Sequence, residues 1–578
     1  MLACFGDAAS ALKRPRVRES LEVLQAKYEA GDTKPLVDVW RAFRALQALP
    51  PDDEDSFFAI GRLAFDDGSC RTSDVLFPGA RAAVCETRLP CARSTRSRRS
   101  RAAPSRPLAL RALAAAWSRA LLLRLEDALI SHTPECAGLP FWDETSSASM
   151  RLGVPWCVTR AYVEIDGAAV PNPLASFLLP RPLRAGTAGA VSSRPTGYST
   201  VRFPYGDAVA AASGDLAASV EAERTVVDEL RARGVTSVEL LNQSVRVALH
   251  GLRTGGSLPD ERLGSVARLR AALDAPTFLL FAHKAAADEY NGAVASAGGT
   301  AVELVSSLST HFSNVALAAG GHSGMVPGFP RSHGELSSAD TASLDPLFFL
   351  HLAFCDYALA TWQARHGATR SIEVEGEEGP LRVSAARLNE PLAPFRRSAL
   401  AHLTSRDVAS IALLRYSYAP ASLDLPPPVA MPGGNAPVLV VKGLSRHAFT
   451  TSFTVFAYAE LPGTFFSAVR GDMGQRVRLL GFESVFSHPG AARCASCQRH
   501  AGVTFLFPLY GLTDKQVAKA VFFVRVADSG EYATLRTPLA YKCYVNGMEV
   551  RSAEQLPGGG APVRRLSVRR PSMRAANV

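Results

Sequence analysis

Residues 345–363 read DPLFFLHLAFCDYALATWQ, and this run limits the fold more than any other part of the chain. Asp-Pro at 345–346 fits a helix start. Asp345 supplies an acceptor for the free amides of a first turn, and Pro346 has its φ preset for the first helical position. The run predicts a helix over 345–365, the last strong one in the chain. No apolar stretch reaches the length of a membrane span.

Upstream, apolar residues recur at helical spacing over 17–50, with Leu21, Leu24, Tyr28, Leu36, Val39, Phe43 and Leu46. Residues 108–132 form a second amphipathic pattern, with Leu113, Trp117, Leu121, Leu125, Ala128 and Leu129 on one side. A Pro/Gly/Ser-rich loop follows at 180–206, and further helices are expected at 216–233, 237–250, 259–274, 277–295 and 300–318. Residues 419–435, APASLDLPPPVAMPGGN, read as a linker. Beyond it the pattern changes to short β-rich runs: Val438–Val441, Ser452–Tyr458, Thr464–Val469, Arg476–Phe482, Val503–Phe507, Ala520–Val526 and Ala533–Leu539. That spacing of runs and turns predicts an all-β sandwich.

At 578 residues there is room for two or more domains, and 47% hydrophobic with 20% charged residues is ordinary for a globular chain. The net charge of +10 is concentrated rather than spread. Arg93, Arg96, Arg98, Arg99, Arg101 and Arg106 form one cluster, and Arg564, Arg565, Arg569, Arg570 and Arg574 another. Both sit among Ser, Pro, Ala and Gly and read as flexible, solvated segments. Polyanion binding is the competing reading, weakened because no aromatic residues interleave with the arginines. The N-terminus, MLACFGDAASALKRPR, has Asp7 inside its only apolar piece, so no classical signal peptide is expected. Ten scattered cysteines do not force a disulfide scaffold, and Asn242-Gln243-Ser244 is a lone glycosylation sequon.

Three motifs then stand out together. Asp345, Pro346, Phe348, His351, Asp356 and Trp362-Gln363 are one; Leu139-Pro140-Phe141-Trp142-Asp143 is the second; Trp117-Ser118-Arg119 with Glu126 is the third. They resemble the copper-site signatures of the type 3 copper proteins, the molluscan hemocyanin functional units and tyrosinases. VLVVKGLSRHAFTTSFTVFAYAELPGTFFSAVRG, from Val438, looks like the start of the family's C-terminal sandwich. The resemblance covers roughly residues 35–545. It implies a mainly helical type 3 copper four-helix-bundle domain followed by a C-terminal antiparallel β-sandwich that packs over the copper-domain entrance. The corresponding division is an N-terminal extension at 1–34, a helical domain at 35–418 with an Arg-rich insert at 92–107, a linker at 419–435, the β-sandwich at 436–545 and a basic tail at 546–578.

The resemblance also implies two coppers, each held by three imidazoles, because imidazole is a neutral donor to both Cu(I) and Cu(II). Taken position by position, the ligands are not there. Leu352 stands at the second histidine of the family's His-His pair, and a leucine has no lone pair to give a metal. Ser118 stands in the Trp-His-Arg motif, and Ala64 completes a Phe57, Ile60 pattern that ends in histidine in the family. The first histidine in the chain is His132. A His-Asn-x-x-His pair has two candidate segments. One is Tyr290-Asn291-Gly292-Ala293-Val294; the other, Thr310–Ala316, keeps His311 one position off register and has Ala316 at the second ligand place. His311 and His351 are residual histidines.

This reading expects no cofactor and no copper. It expects a non-catalytic structural, assembly or binding module, with protein partners such as hemocyanin-type subunits or copies of itself. The alternative is an oxidoreductase or oxygen carrier whose site is rebuilt from His283, His311, His322, His333 and His351. Separately, His488, Cys494, Cys497 and His500 lie close enough in sequence to be a zinc set, a local disulfide or ordinary loop residues.

Overall fold

The computed structural model describes residues 16–64, 114–183, 194, 196–203, 232, 234–251, 261–321, 334–338, 341–369, 389, 391–398, 401–425, 435–445, 452–461, 477–486, 502–528, 531–532 and 541–552. Its helices are α1 (Leu21–Glu29), α2 (Lys34–Ala48), α3 (Phe57–Arg62), α4 (Ala114–His132), α5 (Ser147–Leu152), α6 (Trp156–Thr159), α7 (Ser237–His250), α8 (Ser265–Ala272), α9 (Phe278–Ala282), α10 (Lys284–Ser296), α11 (Leu308–Gly320), α12 (Pro346–Arg365) and α13 (Asp514–Lys519).

Helix α12 organises the helical region. Asp345 caps it, its carboxylate accepting from the Leu347 amide at 2.8 Å, and Pro346 occupies the first helical position. The same carboxylate takes a bidentate pair from Arg202, with Nε at 2.8 Å and Nη2 at 2.6 Å. Nearly every side chain of α12 is buried, as expected of a helix that is apolar all round. Helix α4 packs on it from one side and α11 from the other. No helix among the described residues is long and apolar enough to cross a membrane.

The β-rich part begins at β7 (Val438–Ser445), counting from β1 (Arg16–Arg18), the hairpins β2 (Tyr162–Ile165)–β3 (Ala168–Pro171) and β4 (Pro391–Ser398)–β5 (Ala401–Thr404), and β6 (Tyr416–Tyr418). It continues with β8 (Phe453–Glu460), β9 (Val477–Val485), β10 (Gly502–Pro508), β11 (Val521–Asp528), β12 (Glu531–Tyr532), β13 (Lys542–Val545) and β14 (Met548–Glu549). These form two antiparallel four-stranded sheets, ordered β10-β7-β13-β14 and β12-β11-β8-β9. Alternate residues such as Leu439 and Val441, Val455 and Ala457, Phe505 and Phe507, and Phe522 and Val524 join one buried cluster drawn from both sheets. Their neighbours face the helices: Val438 and Val440 pack with Ala295 and Ala301, and Phe456 and Phe482 with Val247. The period-two alternation thus buries both faces.

Three expected boundaries are corrected. Residues 16–34 are not an extension outside the helical domain. β1 pairs in parallel with β6, Leu21 and Leu24 enter the main core, and the Arg18 guanidinium is fully buried between the Glu126 and Asp356 carboxylates. The start of the supposed linker is docked: Leu423 is buried, Ser422 bonds Asp143, and Tyr357 donates to Asp424 at 2.7 Å. The β region runs past 545, because β14 pairs with β13 and the Phe522 amide bonds Arg551 O. The helix expected over 277–295 is two helices broken at His283, whose Nδ1 accepts from the Ala286 amide as the cap of α10. The helix expected at 300–318 starts only at Leu308.

The expected helix at 216–233 apart from residue 232, the arginine insert at 92–107, the expected strands at 464–469 and 533–539 and the tail beyond 552 lie outside the described residues. The sequon is used internally. Asn242 Oδ1 accepts from the Val154 amide at 2.9 Å, and the buried Ser244 hydroxyl donates to Ala318 O at 2.7 Å.

Candidate functional site

The ligand positions named from sequence fall on packed helices. Ala64 follows α3 and is buried; Ser118 on α4 is half-buried; Ala316 on α11 and Leu352 on α12 are buried. Helix α3 packs on α4, α4 on α12, and α12 on α11. Between the two candidate segments for the histidine pair, the structure separates core from rim. All of Thr310–Ala316 is buried in the main core, whereas Val294 on α10 is only half-buried and does not fill an interior space.

What occupies this interior is a carboxylate held between two imidazoles. Glu144, His311 and His351 are each fully buried. Glu144 Oε2 lies 2.7 Å from His311 Nε2, and its Oε1 is in contact with His351 Nδ1. The outer nitrogen of each ring is also engaged. His351 Nε2 lies 3.2 Å from Phe312 O, and His311 Nδ1 lies 3.2 Å from Ser265 O and 2.9 Å from Ser265 Oγ. Phe312 stacks on the His351 ring at 4.6 Å between centroids. Burial pushes the Glu144 carboxyl up, but His351 and His311 together outweigh it and hold the carboxyl below the usual carboxylate range.

Sequence reasoning missed Glu144. The available signal was its place directly after Leu139–Asp143, on the strap that the motif lays against α12: the Trp142 amide donates to Leu350 O at 3.2 Å. His283 is buried at the α9–α10 junction, away from this triad's hydrogen bonds. His322, His333, His488, Cys494, Cys497 and His500 lie outside the described residues. Among the described residues, no three or more His, Cys, Asp or Glu side chains are arranged about a common point for an ion.

The motif residues do hold the surroundings together. Trp117 Nε1 donates to Ala393 O at 2.9 Å, Trp362 Nε1 to Ala275 O at 2.9 Å, and Trp142 Nε1 to Ser149 Oγ at 2.8 Å. Ser149 in turn donates to Glu22 at 2.7 Å, and the Asp143 amide donates to the other Glu22 oxygen at 3.1 Å. Burial first, then the neighbouring Asp143, pushes the Glu22 carboxyl up to about 8. A carboxyl whose folded-state pKa is raised binds its proton more tightly when folded. Its contribution is therefore fully present below the unfolded value near 4.5 and lost as pH rises towards about 8. Glu22→Gln removes that loss. Between pH 4 and pH 9, the variant's stability relative to the parent should rise by about 2 kcal/mol in urea titrations; a difference that does not change with pH would refute the assignment.

The sheets close over this region. Ser484 on β9 donates its amide to Asn314 Oδ1 on α11 at 2.9 Å, and Phe486 joins the helical core 6.2 Å from Phe312. Glu483 pairs with Lys284 of α10 and, at 3.5 Å, with Arg268 of α8.

Comparison with known proteins accords with this architecture. Residues 112–365 match the model of the common central domain of tyrosinase. A tyrosinase of Hahella sp. is 30% identical over 564 residues, spanning 89% of this chain and 92% of that protein. A tyrosinase of Aspergillus oryzae is 27% identical over 437 residues, 69% of this chain and 76% of that one. The solved tyrosinase from Burkholderia thailandensis superposes with a TM-score of 0.70 at 27% identity, over 92% of this chain and 100% of its own.

These findings overturn the expectation of no cofactor and no copper, because tyrosinase relatives at this identity imply a dicopper cofactor. The described side chains do not fit that centre as a set of six imidazoles. Ala64, Ala316 and Leu352 offer only hydrocarbon, Ser118 offers a hydroxyl, and the two interior histidines are already paired to Glu144. With 30% identity across nearly the whole of a curated tyrosinase and the common central domain in place, the chain belongs to the tyrosinase family of type 3 copper proteins, of which the hemocyanins are close relatives.

Proposed function

We propose that this protein keeps the type 3 copper fold as a scaffold and has lost its phenol-oxidising ligand set, serving as a non-catalytic structural, assembly or binding module. The observation that carries the reading is the chemistry at Ala64, Ser118, Ala316 and Leu352, three of which are buried as packing. On this reading the helices around α12 are the family's four-helix bundle and the two C-terminal sheets its β-sandwich. Function then resides on outer surfaces, through association with copies of itself or with related subunits. Sedimentation of the full chain, alone and with such subunits, measures that association.

The direct test is catechol oxidation by the full-length protein after loading with Cu²⁺. No turnover above a protein-free copper control is expected, and a saturable oxidase rate would overturn the reading. Restoring one histidine should not rescue activity. Leu352→His places an imidazole in an apolar interior, and thermal unfolding should show a loss of about 2 kcal/mol with no gain in oxidation rate.

A further inference from the structure

The buried Glu144 triad has a hydrogen-bonding count that fixes its protons. Phe312 O only accepts, so His351 Nε2 carries a hydrogen where it meets that carbonyl at 3.2 Å. His351 Nδ1 meets Glu144 Oε1, and in a neutral ring that nitrogen would turn a lone pair to an acceptor. One further proton therefore lies between Nδ1 and Oε1. Against burial, the two rings hold the Glu144 carboxyl below its usual range, which leaves that proton on His351 as an imidazolium. His311 needs no such proton. Its Nε2–H is given to Glu144 Oε2 at 2.7 Å, and its Nδ1 accepts from the Ser265 hydroxyl at 2.9 Å. All three side chains are fully buried, so a lost partner is not replaced by bulk water.

We propose that Glu144, His311 and His351 form a proton-held latch: one retained proton ties the strap at 139–146 to helices α11 and α12, and its loss at alkaline pH releases the strap. The latch rests on the scaffold reading, in which this interior takes no ion. Above about pH 6.5 an unfolded imidazole is neutral, so the latched state holds one proton more than the open one. The open population then rises with pH, by up to about tenfold per unit. The neighbouring charges are committed elsewhere. Asp356 on α12 is turned to Arg119 and Arg18, and Glu126 on α4 to Arg18. Arg268 on α8 and Lys284 on α10 face Glu483 of the sheets. Cys355 on α12 feels the Glu144 charge, but burial first pushes its thiol well up. Asp143 faces Ser422. Glu22 accepts from the Asp143 amide, and burial and then Asp143 push it up to about 8, so it titrates in the same range and is removed in the test.

Glu144→Gln separates the latch from packing alone. A glutamine can donate its amide hydrogen to His351 Nδ1 and accept from His311 Nε2–H with no extra proton. The full-length protein carrying Glu22→Gln is compared with the same protein carrying Glu144→Gln as well. Strap opening is read by hydrogen exchange of peptides covering 139–146, corrected for the intrinsic rate, between about pH 6.5 and pH 9. Opening should rise by up to about tenfold per pH unit with Glu144 in place and stay flat with Glu144→Gln. Equal slopes in the two proteins would overturn the latch. Nitrogen-15 NMR of the histidine-labelled parent protein needs no substitution, and so decides the matter even if the double variant does not fold. A ring protonated on both nitrogens at about pH 7.5, well above the ordinary imidazole range, supports the latch; rings that are all singly protonated would overturn it. Neither readout involves copper or catechol, so failure of the latch leaves the scaffold reading to its own assay.

Discussion

Asp356→Ala should lower the unfolding free energy by about 3–5 kcal/mol, the largest single-residue effect expected in the helical region. Asp356 accepts from Arg119 Nε at 2.6 Å, Arg18 Nη1 at 3.1 Å, and the Tyr416 and Tyr418 hydroxyls at 2.6 Å each. Arg18 completes the group with a bidentate pair to Glu126, both bonds 2.9 Å, and its guanidinium lies 3.8 Å over the Tyr416 ring. Two buried guanidiniums thus face two buried carboxylates. Removing the Asp356 carboxylate leaves Arg119 without its counter-charge and the Tyr416 hydroxyl without its acceptor, while the desolvation of the rest remains.

The same network sets the response to acid. Burial pushes Asp356 and Glu126 up, but Arg119 and Arg18 for the first, and Arg18 for the second, hold both below the ordinary carboxylate range. Depressed folded-state values mean stability that is present above the unfolded value near pH 4 and lost as pH falls through the folded one. Thermal melts across pH 2–6 should show a steep acid limb in the parent protein and a flatter one in Asp356→Ala. A parallel pair of limbs would show that the cluster does not govern acid unfolding.

Phe486→Ala should cost about 3 kcal/mol, and the loss should be felt across the junction between sheets and helices. Phe486 is 5% exposed and belongs to the helical core although it follows the last residue of β9. With the ring gone, the Ser484–Asn314 bond, the Glu483 ion pairs and the Arg268 bond to Phe482 O at 2.7 Å remain as ties of β9 to α8, α10 and α11. Hydrogen exchange at the α11 amides should accelerate by about a hundredfold, while the amides of β7 and β10 keep their protection. Unchanged exchange in α11 would show that Phe486 does not hold the two parts together.

Much of this arrangement was legible beforehand where local chemistry decides it. Asp345-Pro346 marks the start of α12 because a carboxylate cap and a preset φ act within one turn. The β runs that lie within the described residues, such as Val438–Val441 and Val503–Phe507, were legible because alternation is a local pattern. What escaped depends on distant partners. A three-residue strand such as β1 has no periodicity to find, and its buried Arg18 makes sense only once Glu126 and Asp356 are beside it. The break at His283 escapes notice because no Gly, Pro or usual cap residue stands there. Glu144 reads as one more charged residue in a polar stretch until the fold brings two imidazoles to it.

The pairing of β1 with β6 also has a consequence in time. Arg18 and Tyr418 are 400 residues apart. At translation rates of 5–20 residues per second, the first strand waits about 20–80 s for its partner to leave the ribosome. Through that interval Arg18, Glu126, Arg119 and finally Asp356 are synthesised without the tyrosines that complete their setting. The helical core therefore closes late, and a nascent chain of this protein depends on whatever shields its unfinished interior until residue 418 has emerged.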